Sequence, residues 1–462
     1  MTMDMIFEKL RNYRADMKED LSQLVAINSE RDLMTKRENA PFGIGIRKCF
    51  DKMIEFARRE ELSVEDFNGY AMHIDYGEGQ ETLAILGHLD IVGIQDRYKW
   101  DSNPFQLIEK EGFWYGRGVN DNKGPMIGCL YLLKILKELN YKPNKKIRLI
   151  IGGAEETTWE CMRHYFKYNK MPIYGFSPDG DFPIINCEKG IGYYKYHRKK
   201  RATNDGIYNI ISITSNEDIT RVCSRVEVCI ETQKPEELMK LISPEVESKV
   251  NENNLVLIYK GISAMGRNPH KGKNAIFKYI KDFKGIEGLD SRAKELIDFL
   301  DRYFLDSIYG EKLGLYYKDE ETGHTTNNLS YITLNSNGYV ISFDFRYPKG
   351  TSYGKIKERL IEIGLENELE LMIIKEMPLL YVSPDSQLVR GLKLAYQNIT
   401  GEKPKLFSKG AASYARVLRQ GVAFGPTFSS DRPNSHNANE CINVDNFMKA
   451  LLIYANAIKL LT

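Results

Sequence analysis

Apolar strand-like runs alternate with helical patterns early in the chain, and this alternation constrains the fold more than any other feature. The run 82–92 (TLAILGHLDIV) precedes a buried helical pattern over 125–139, and 145–154 (KKIRLIIGGA) then forms a second apolar run. Strands rich in Ile and Leu are typical of a sheet covered by helices. The alternation predicts an α/β fold with a mostly parallel sheet flanked by helices.

The segments on either side of this core show the same alternation of helical and strand patterns. Apolar residues at helical or alternating spacing extend the layer before residue 82, and the pattern returns after Pro384. The further elements expected are helices over 4–27, after Gly43 to about Arg59, over 387–399 and over 444–460, and strands over 70–77 and 422–427.

The composition changes near residue 192, and a length of 462 residues favours two or three domains. The basic stretch 193–203 (YYKYHRKKRAT) is followed by a strand over 226–232 and a mostly helical region over 274–304. A hairpin is expected over 331–348, with Asn337-Gly338 as its turn. We therefore expect an inserted α+β domain, 193–378, within a discontinuous domain made of 1–192 and 379–462.

Composition excludes several classes of partner. The net charge is only +2, so neither nucleic acid nor a membrane surface is expected as the main partner. The charged N-terminus has no apolar segment typical of a signal peptide, and no apolar run approaches the roughly 20 residues of a membrane span. Seven dispersed cysteines are typical of reduced thiols. We expect a cytoplasmic protein.

Acids and histidines cluster where predicted strands end. His88 and Asp90 are two residues apart, so on a strand they share a face and the carboxylate can orient the imidazole ring. Asp121 lies in a glycine-rich loop before a helix, where a plain helix cap is the alternative. Each signal is weak alone.

Glu155 and Glu156 follow the strand 145–154 directly. Adjacent carboxylates are unfavourable in a dry setting without a compensating cation, although a solvated pair is the alternative. Asp179 follows another apolar stretch, where an ordinary turn aspartate is the simpler interpretation. His436 precedes the last helix, where a surface loop histidine is the simpler interpretation. Together, these imidazoles and carboxylates are the ligands that zinc or manganese takes, at the strand ends where α/β sheets place their sites.

At this point the sequence resembles a known family. It is similar to the co-catalytic zinc metallopeptidases that include carboxypeptidase G, acetylornithine deacetylase, succinyl-diaminopimelate desuccinylase and carnosinase, and within them to the bacterial dipeptidase V branch of Xaa-His dipeptidase-like enzymes. The resemblance covers nearly the whole chain in order. The matching stretches are PFG (41–43), GHLDIV (87–92), WDSNPF (100–105), YGRGVNDNKGP (115–125), GGAEETTW (152–159), FSPDGDFPIINCEKG (176–190), FRYP (345–348) and SHNANE (435–440).

The resemblance implies a two-metal hydrolase of dipeptides or small amides. Asp121 would bridge two divalent ions, which His88 with Asp179 and Glu156 with His436 would complete. Zinc is the expected metal, with manganese or cobalt as alternatives. The fold implied is a zinc-exopeptidase-like catalytic domain, and the insert 193–378 would be its lid, in a monomeric enzyme.

The resemblance also implies roles for residues that bind no metal. Asp90 would orient a ligand, and Glu155 would be the general base that takes a proton from the attacking water. Arg346 in FRYP would bind the C-terminal carboxylate of the substrate, for which a bidentate guanidinium is suited.

Several departures from the family pattern concern parts expected to touch substrate. In the lid loop GISAMGRNPHKGKNA (261–275), Met265 occupies the position of a histidine that stabilises the oxyanion, and a thioether cannot donate a hydrogen bond. His270, five residues later, is a candidate substitute, although a solvated loop histidine is the simpler reading. The motif Asn-Met-Val-Pro reads TRVC from Thr220, and a glycine-rich stretch reads GAAS from Gly410. Asn122 stands where an acid is common.

Three functions are therefore compatible with the sequence. A metal-dependent dipeptidase accounts for the ligands, for Glu155 and for Arg346. An N-acyl amino acid amidohydrolase would use the same groups. A catalytically weak metal-binding protein that recognises peptides would explain Met265 but would have no need of a base beside a metal ligand.

Overall fold

The computed structural model describes residues 2–94, 97–251 and 254–462. This part of the chain divides into two compact units. The first unit comprises Met1–Cys187, Tyr381–Phe407 and Ala412–Thr462, and the second comprises Glu188–Leu380 and Ser408–Ala411. The boundaries expected from the sequence lay after residues 192 and 378, and the segment 408–411 was not expected to separate from its neighbours.

Helices and strands alternate along most of the described chain. The helices are α1 (Met3–Asn12), α2 (Arg14–Val25), α3 (Ile44–Arg59), α4 (Lys123–Glu138), α5 (Glu160–Tyr168), α6 (Pro235–Met239), α7 (Ala275–Phe283), α8 (Ser291–Tyr303), α9 (Tyr353–Glu366), α10 (Gln387–Thr400) and α11 (Val444–Leu461). The strands are β1 (Ser63–Phe67), β2 (Ala71–Tyr76), β3 (Thr82–His88), β4 (Ile108–Lys110), β5 (Phe113–Tyr115), β6 (Lys146–Gly152), β7 (Tyr174–Ser177), β8 (Gly180–Asp181), β9 (Ile184–Glu188), β10 (Gly190–Lys199), β11 (Asn209–Ser215), β12 (Arg225–Glu231), β13 (Glu247–Asn251), β14 (Asn254–Lys260), β15 (Lys318–Asp319), β16 (Gly323–His324), β17 (Thr326–Asn335), β18 (Gly338–Tyr347), β19 (Glu370–Met377), β20 (Leu380–Tyr381), β21 (Leu406–Lys409), β22 (Gly421–Ala423), β23 (Pro426–Thr427) and β24 (Cys441–Asn443). No described helix is long and apolar enough to cross a membrane.

The first unit is built on a mixed sheet with the strand order β1-β2-β6-β3-β7-β22-β9-β20, and β21 pairs with β9. The four central strands β6, β3, β7 and β22 run parallel to one another. Antiparallel pairs extend the sheet on both sides, through β2 and β1 at one side and β9 at the other. The expected α/β class is confirmed, and the expectation of parallel strands holds for the centre of the sheet.

Buried helices cover this sheet because the central strands are apolar on both faces. Every residue of β3 from Leu83 to His88 is buried. Helix α4 packs against β2, β3 and β6, and α11 packs in turn against α4. Gly128 allows that approach, since a Cβ there would meet Leu451 Cδ2 at 2.5 Å.

Two elements of the first unit differ from the sequence expectation. The helix predicted over 4–27 is two helices, because Tyr13 leaves helical geometry at φ −88° and ψ 3°. The strand predicted over 422–427 is β22 followed by β23, which pairs with β8 in another sheet. Gly425 makes the bend between them at φ 68°, and a side chain there would collide with the Phe182 ring.

The second unit is an antiparallel sheet with the order β13-β14-β12-β11-β17-β18-β10-β19. Helix α7 packs against β12, β14 and β17, and a buried aromatic and aliphatic core lies beneath it. The predicted hairpin is present as β17 and β18, but Asn335 pairs with Gly338, so Ser336 and Asn337 form the turn. Gly338 is needed next because a Cβ there would meet the Arg198 carbonyl oxygen.

Helix α10 offers a matched test of which face carries the stability of the first unit. Leu392 is fully buried, whereas Leu394, two residues later, is 46% exposed. Replacing Leu392 with Ala leaves a cavity, so we expect the free energy of unfolding to fall by about 2–5 kcal/mol. Leu394→Ala is expected to change it by no more than about 0.5 kcal/mol. Urea denaturation of both variants measures this, and equal losses would contradict the packing described.

Candidate metal centre

The predicted ligands lie where parallel strands of the first unit end. His88 is the last residue of β3 and pairs across the ladder with Gly152, the last residue of β6. Glu155 and Glu156 follow β6, and Asp179 follows β7, which also runs parallel to β3. Because the carboxyl ends of parallel strands share one edge, the fold brings these side chains together.

The carboxylate of Asp121 lies between two histidines. Its Oδ1 is 3.1 Å from Nε2 of His88, and its Oδ2 is 3.0 Å from Nε2 of His436. His436 Nε2 also lies 3.1 Å from Oε1 of Glu156, and His88 Nε2 lies 3.9 Å from Oδ2 of Asp179. The five predicted ligands therefore form two lobes that share Asp121.

The protonation of His88 tests whether a metal ion fits this arrangement. Its Nδ1 lies 2.9 Å from the main-chain oxygen of Asp90, which can only accept, so Nδ1 carries the proton. In a neutral ring Nε2 then presents a lone pair towards Asp121, and this buried atom forms no hydrogen bond with any described residue despite the 3.1 Å contact. Oε1 of Glu156 is also buried and forms no hydrogen bond within the described part of the chain. A lone pair that faces carboxylate oxygens is unfavourable unless a cation lies between them, so the donor set fits a divalent metal.

Asp90 holds the site in a different way from the sequence expectation. Its main-chain oxygen is closer to the His88 ring than its carboxylate, which lies 3.4 Å from Nδ1. The carboxylate instead accepts hydrogen bonds from the main-chain N–H groups of Glu155, at 3.1 Å, and Glu156, at 3.0 Å. Asp90 therefore orients the ring through its backbone and fixes the adjacent glutamates through its side chain.

The electrostatics of the cluster favour a cation. Burial raises the pKa of Glu155 well above its usual range, and the negative charges of Asp179 and Glu156 raise it further. Burial and the charge of Asp121 raise the pKa of Asp179 to about 7. Ligand atoms of Glu155, His88 and Asp179 lie within 4.8 Å of one another. A divalent ion would relieve the repulsion among these acids.

Glu440 is a site residue to which the sequence assigned no role. Its carboxylate is fully buried and accepts four hydrogen bonds, from the side chain of Arg117 and from the main-chain N–H groups of Gly118, Asn120 and Asp121. These contacts join the loop before α4 to the loop that carries His436. The motif SHNANE contains Glu440, but nothing in its local pattern indicates partners more than 300 positions away.

Asn122 joins two other parts of the same edge. Its side-chain oxygen accepts a hydrogen bond from the main-chain N–H of His88, at 3.4 Å, and its amide nitrogen donates to the carbonyl of Pro178, at 2.8 Å. The side chain is fully buried, and the peptide bond between Asp121 and Asn122 is cis. Asn122 thus links the segments that carry His88 and Asp179.

Arg346, in the second unit, is largely occupied by partners within that unit. Its Nε and Nη2 donate to the two carboxylate oxygens of Asp344, at 2.6 and 2.8 Å. Nη1 donates to the carbonyl of Gly410 and Nη2 to the hydroxyl of Tyr193. A guanidinium has five N–H groups, so one remains for a ligand.

The loop around Met265 belongs to the same unit. Met265 is 38% exposed, and its sulfur lies 3.6 Å from Nη1 of Arg221. The main-chain oxygen of Thr220 accepts a hydrogen bond from Gly266. His270 is exposed on a short 3-10 helix and lines a cavity of about 440 Å³ whose described lining does not include Met265.

Comparisons with known proteins identify the family and the fold of the chain. A sequence profile of peptidase family M20/M25/M40 matches residues 84–460. A Staphylococcus aureus (strain MW2) protein provisionally named a dipeptidase is 34% identical over 462 residues, covering 98% of each chain. Among solved structures, a di-peptidase from Saccharomyces cerevisiae has a TM-score of 0.60 at 13% identity and covers 100% of this chain and 98% of its own. Human carnosine dipeptidase 1 has a TM-score of 0.59 at 14% identity, with coverage of 100% and 99%. These two structures show a shared fold.

The contacts of Glu440 generate a test of the scaffold. In Glu440→Gln one acceptor oxygen becomes an amide donor, and the buried Arg117 loses its counter-charge, so the loop that carries Asp121 should shift. We expect zinc affinity to fall about 10–100-fold, as is typical when a group supporting a ligand is lost. Competition with a chromogenic chelator measures it. Asp445→Asn, an exposed acid five residues later, is the control, and equal affinities in both variants would contradict this role.

Proposed function

Since the chain belongs to peptidase family M20/M25/M40, we propose that it is a dipeptidase that works with two divalent metal ions, zinc in the first instance. The family makes it a metallopeptidase, and its relatives provisionally named dipeptidases support the substrate class. The observation that carries the proposal is the carboxylate of Asp121, whose two oxygens face two different histidines.

The proposed ligand sets follow the two lobes of the site. His88 and Asp179 would hold one ion, Glu156 and His436 the other, and Asp121 both. Bound divalent ions polarise a scissile carbonyl and make water acidic enough to serve as a nucleophile near neutral pH. Manganese or cobalt would suit the same mixed set of imidazole and carboxylate ligands.

Glu155 is the proposed general base. Its carboxylate is held beside the ligands because Asp90 accepts a hydrogen bond from its main-chain N–H. Burial raises its pKa, and a carboxylate with a raised pKa is a better acceptor for the proton of the attacking water. The same group would then return that proton to the leaving amine.

Arg346 is proposed to contact the C-terminal carboxylate of the dipeptide through its remaining N–H, in a unit proposed to act as a lid.

The alternatives, an N-acyl amino acid amidohydrolase and a catalytically weak peptide-binding protein, use the same ligands and differ in turnover and leaving group. A monomeric state and a cytoplasmic location stay predictions.

Turnover of a dipeptide panel tests the proposed function. The protein loaded with zinc, manganese or cobalt is expected to hydrolyse dipeptides, and removal of the metal with a chelator should abolish this reversibly. Glu155→Gln should lower kcat about 100–10,000-fold, because it removes the proton acceptor, while metal content stays unchanged. A wild-type protein that binds zinc but cleaves no dipeptide would leave the weak peptide-binding protein in its place. Cleavage of N-acyl amino acids alone would favour the amidohydrolase.

The role of Met265 generates a separate prediction. A thioether donates no hydrogen bond, and one missing oxyanion donor typically lowers kcat about 100–1000-fold. Met265→His is therefore expected to raise kcat for dipeptides by about tenfold or more, a partial recovery of that range. Met265→Gln, which donates through a neutral amide that cannot become charged, is the comparison variant. No gain in either variant would mean that this position supplies no donor to the reaction.

A further inference from the structure

The charge balance around Arg346 indicates which group attracts an anion in the second unit. Asp344 is fully buried and pairs with Arg346 through two hydrogen bonds, so the positive and negative charges of this pair cancel. A guanidinium neutralised by a bidentate carboxylate attracts a second carboxylate only weakly. The net charge for anion binding must come from another residue.

Arg267 is that residue. It follows Met265 by two positions and is partly buried, and no hydrogen bond or ion pair joins its guanidinium to another described residue. Its side chain packs on Gly410, where an added Cβ would lie 3.0 Å from Cβ of Arg267. The carbonyl of the same Gly410 accepts from Arg346, so the two arginines converge on one residue.

The electrostatics agree with an uncompensated positive charge at this point. Burial lowers the pKa of Arg267, and the charge of Arg346 lowers it further, while Tyr193 and Asp344 oppose the shift. Two guanidinium groups and one carboxylate leave a net charge of +1. A partly buried charge without a partner is costly, and one bound carboxylate would balance it.

We propose that Arg267 and Arg346 together bind the C-terminal carboxylate of the substrate. Arg267 supplies the unbalanced charge, and Arg346, aligned by Asp344, Tyr193 and Gly410, adds its remaining N–H. This rests on the proposed dipeptidase function and names a second specificity residue for it. The balance admits one carboxylate, so the expected ligand is a dipeptide with a free C-terminus and no acidic side chain beside it.

A dipeptide and its C-terminal amide are the matched probes, since they differ in the negative charge of the C-terminal carboxylate that Arg267 would bind. For the zinc-loaded wild type we expect kcat/KM to favour the free acid by about 10–100-fold, as is typical of a charge-assisted hydrogen bond. In Arg267→Met this preference should fall at least about tenfold, mainly through KM. Arg267→Lys should keep part of it, because the charge remains without the planar donor fork.

Binding of both probes to the Glu155→Gln protein, measured by calorimetry, separates recognition from turnover. Lys271→Met, which removes an exposed cation of the same loop, should leave the acid-to-amide preference unchanged. An unchanged preference in both Arg267 variants would overturn the inference. If the wild type cleaves neither probe, the proposed function fails. The inference is then tested by binding alone: it is supported if Arg267→Met removes the preference for the free acid and contradicted if the preference remains. Should Arg267→Met not fold, Arg267→Gln takes its place.

Discussion

The site depends on the placement of one carboxylate, Asp121, between two histidines. Carboxylates gathered in a buried cluster repel one another, so the fold must hold them there before a cation compensates. Hydrogen bonds between main-chain groups and residues that are not ligands keep the cluster in place. Glu440 fixes the loop of Asp121, the carboxylate of Asp90 fixes the two glutamates, and Asn122 joins the segments of His88 and Asp179.

The same logic of charge balance operates in the second unit. Asp344 neutralises Arg346 and aligns it, which makes this guanidinium a rigid donor but a weak attractant for anions. Arg267 has no such partner among the described residues. In the first unit, Asp90 and Glu440, which are held by hydrogen bonds, lie beside carboxylates that repel one another. In the second unit, the paired Arg346 lies beside Arg267. In both units, the charge that lacks compensation is the group that can take a ligand.

Elements with a strong local signal were predictable from the sequence, and elements decided by packing were not. The strands β3 and β6 and the helix α4 follow from apolar runs of the right length and period. The break at Tyr13 and the bend at Gly425 depend on contacts made in the folded chain. The candidate ligands could be singled out because each lies at a strand end or before a helix, and the family resemblance implied their roles. The role of Glu440 could not, because its partners lie about 320 positions earlier in the chain.

The sequence by itself determined the family, the α/β class and the chemical types gathered at the strand ends, since these depend on local pattern and on residue identity. Only the tertiary structure decided which atom of each residue forms each hydrogen bond. It showed that Asp90 orients His88 through its carbonyl and that Arg346 is already paired. The physical reason is that hydrogen bonds join groups close in space, and sequence separation carries almost no information about which distant groups will meet.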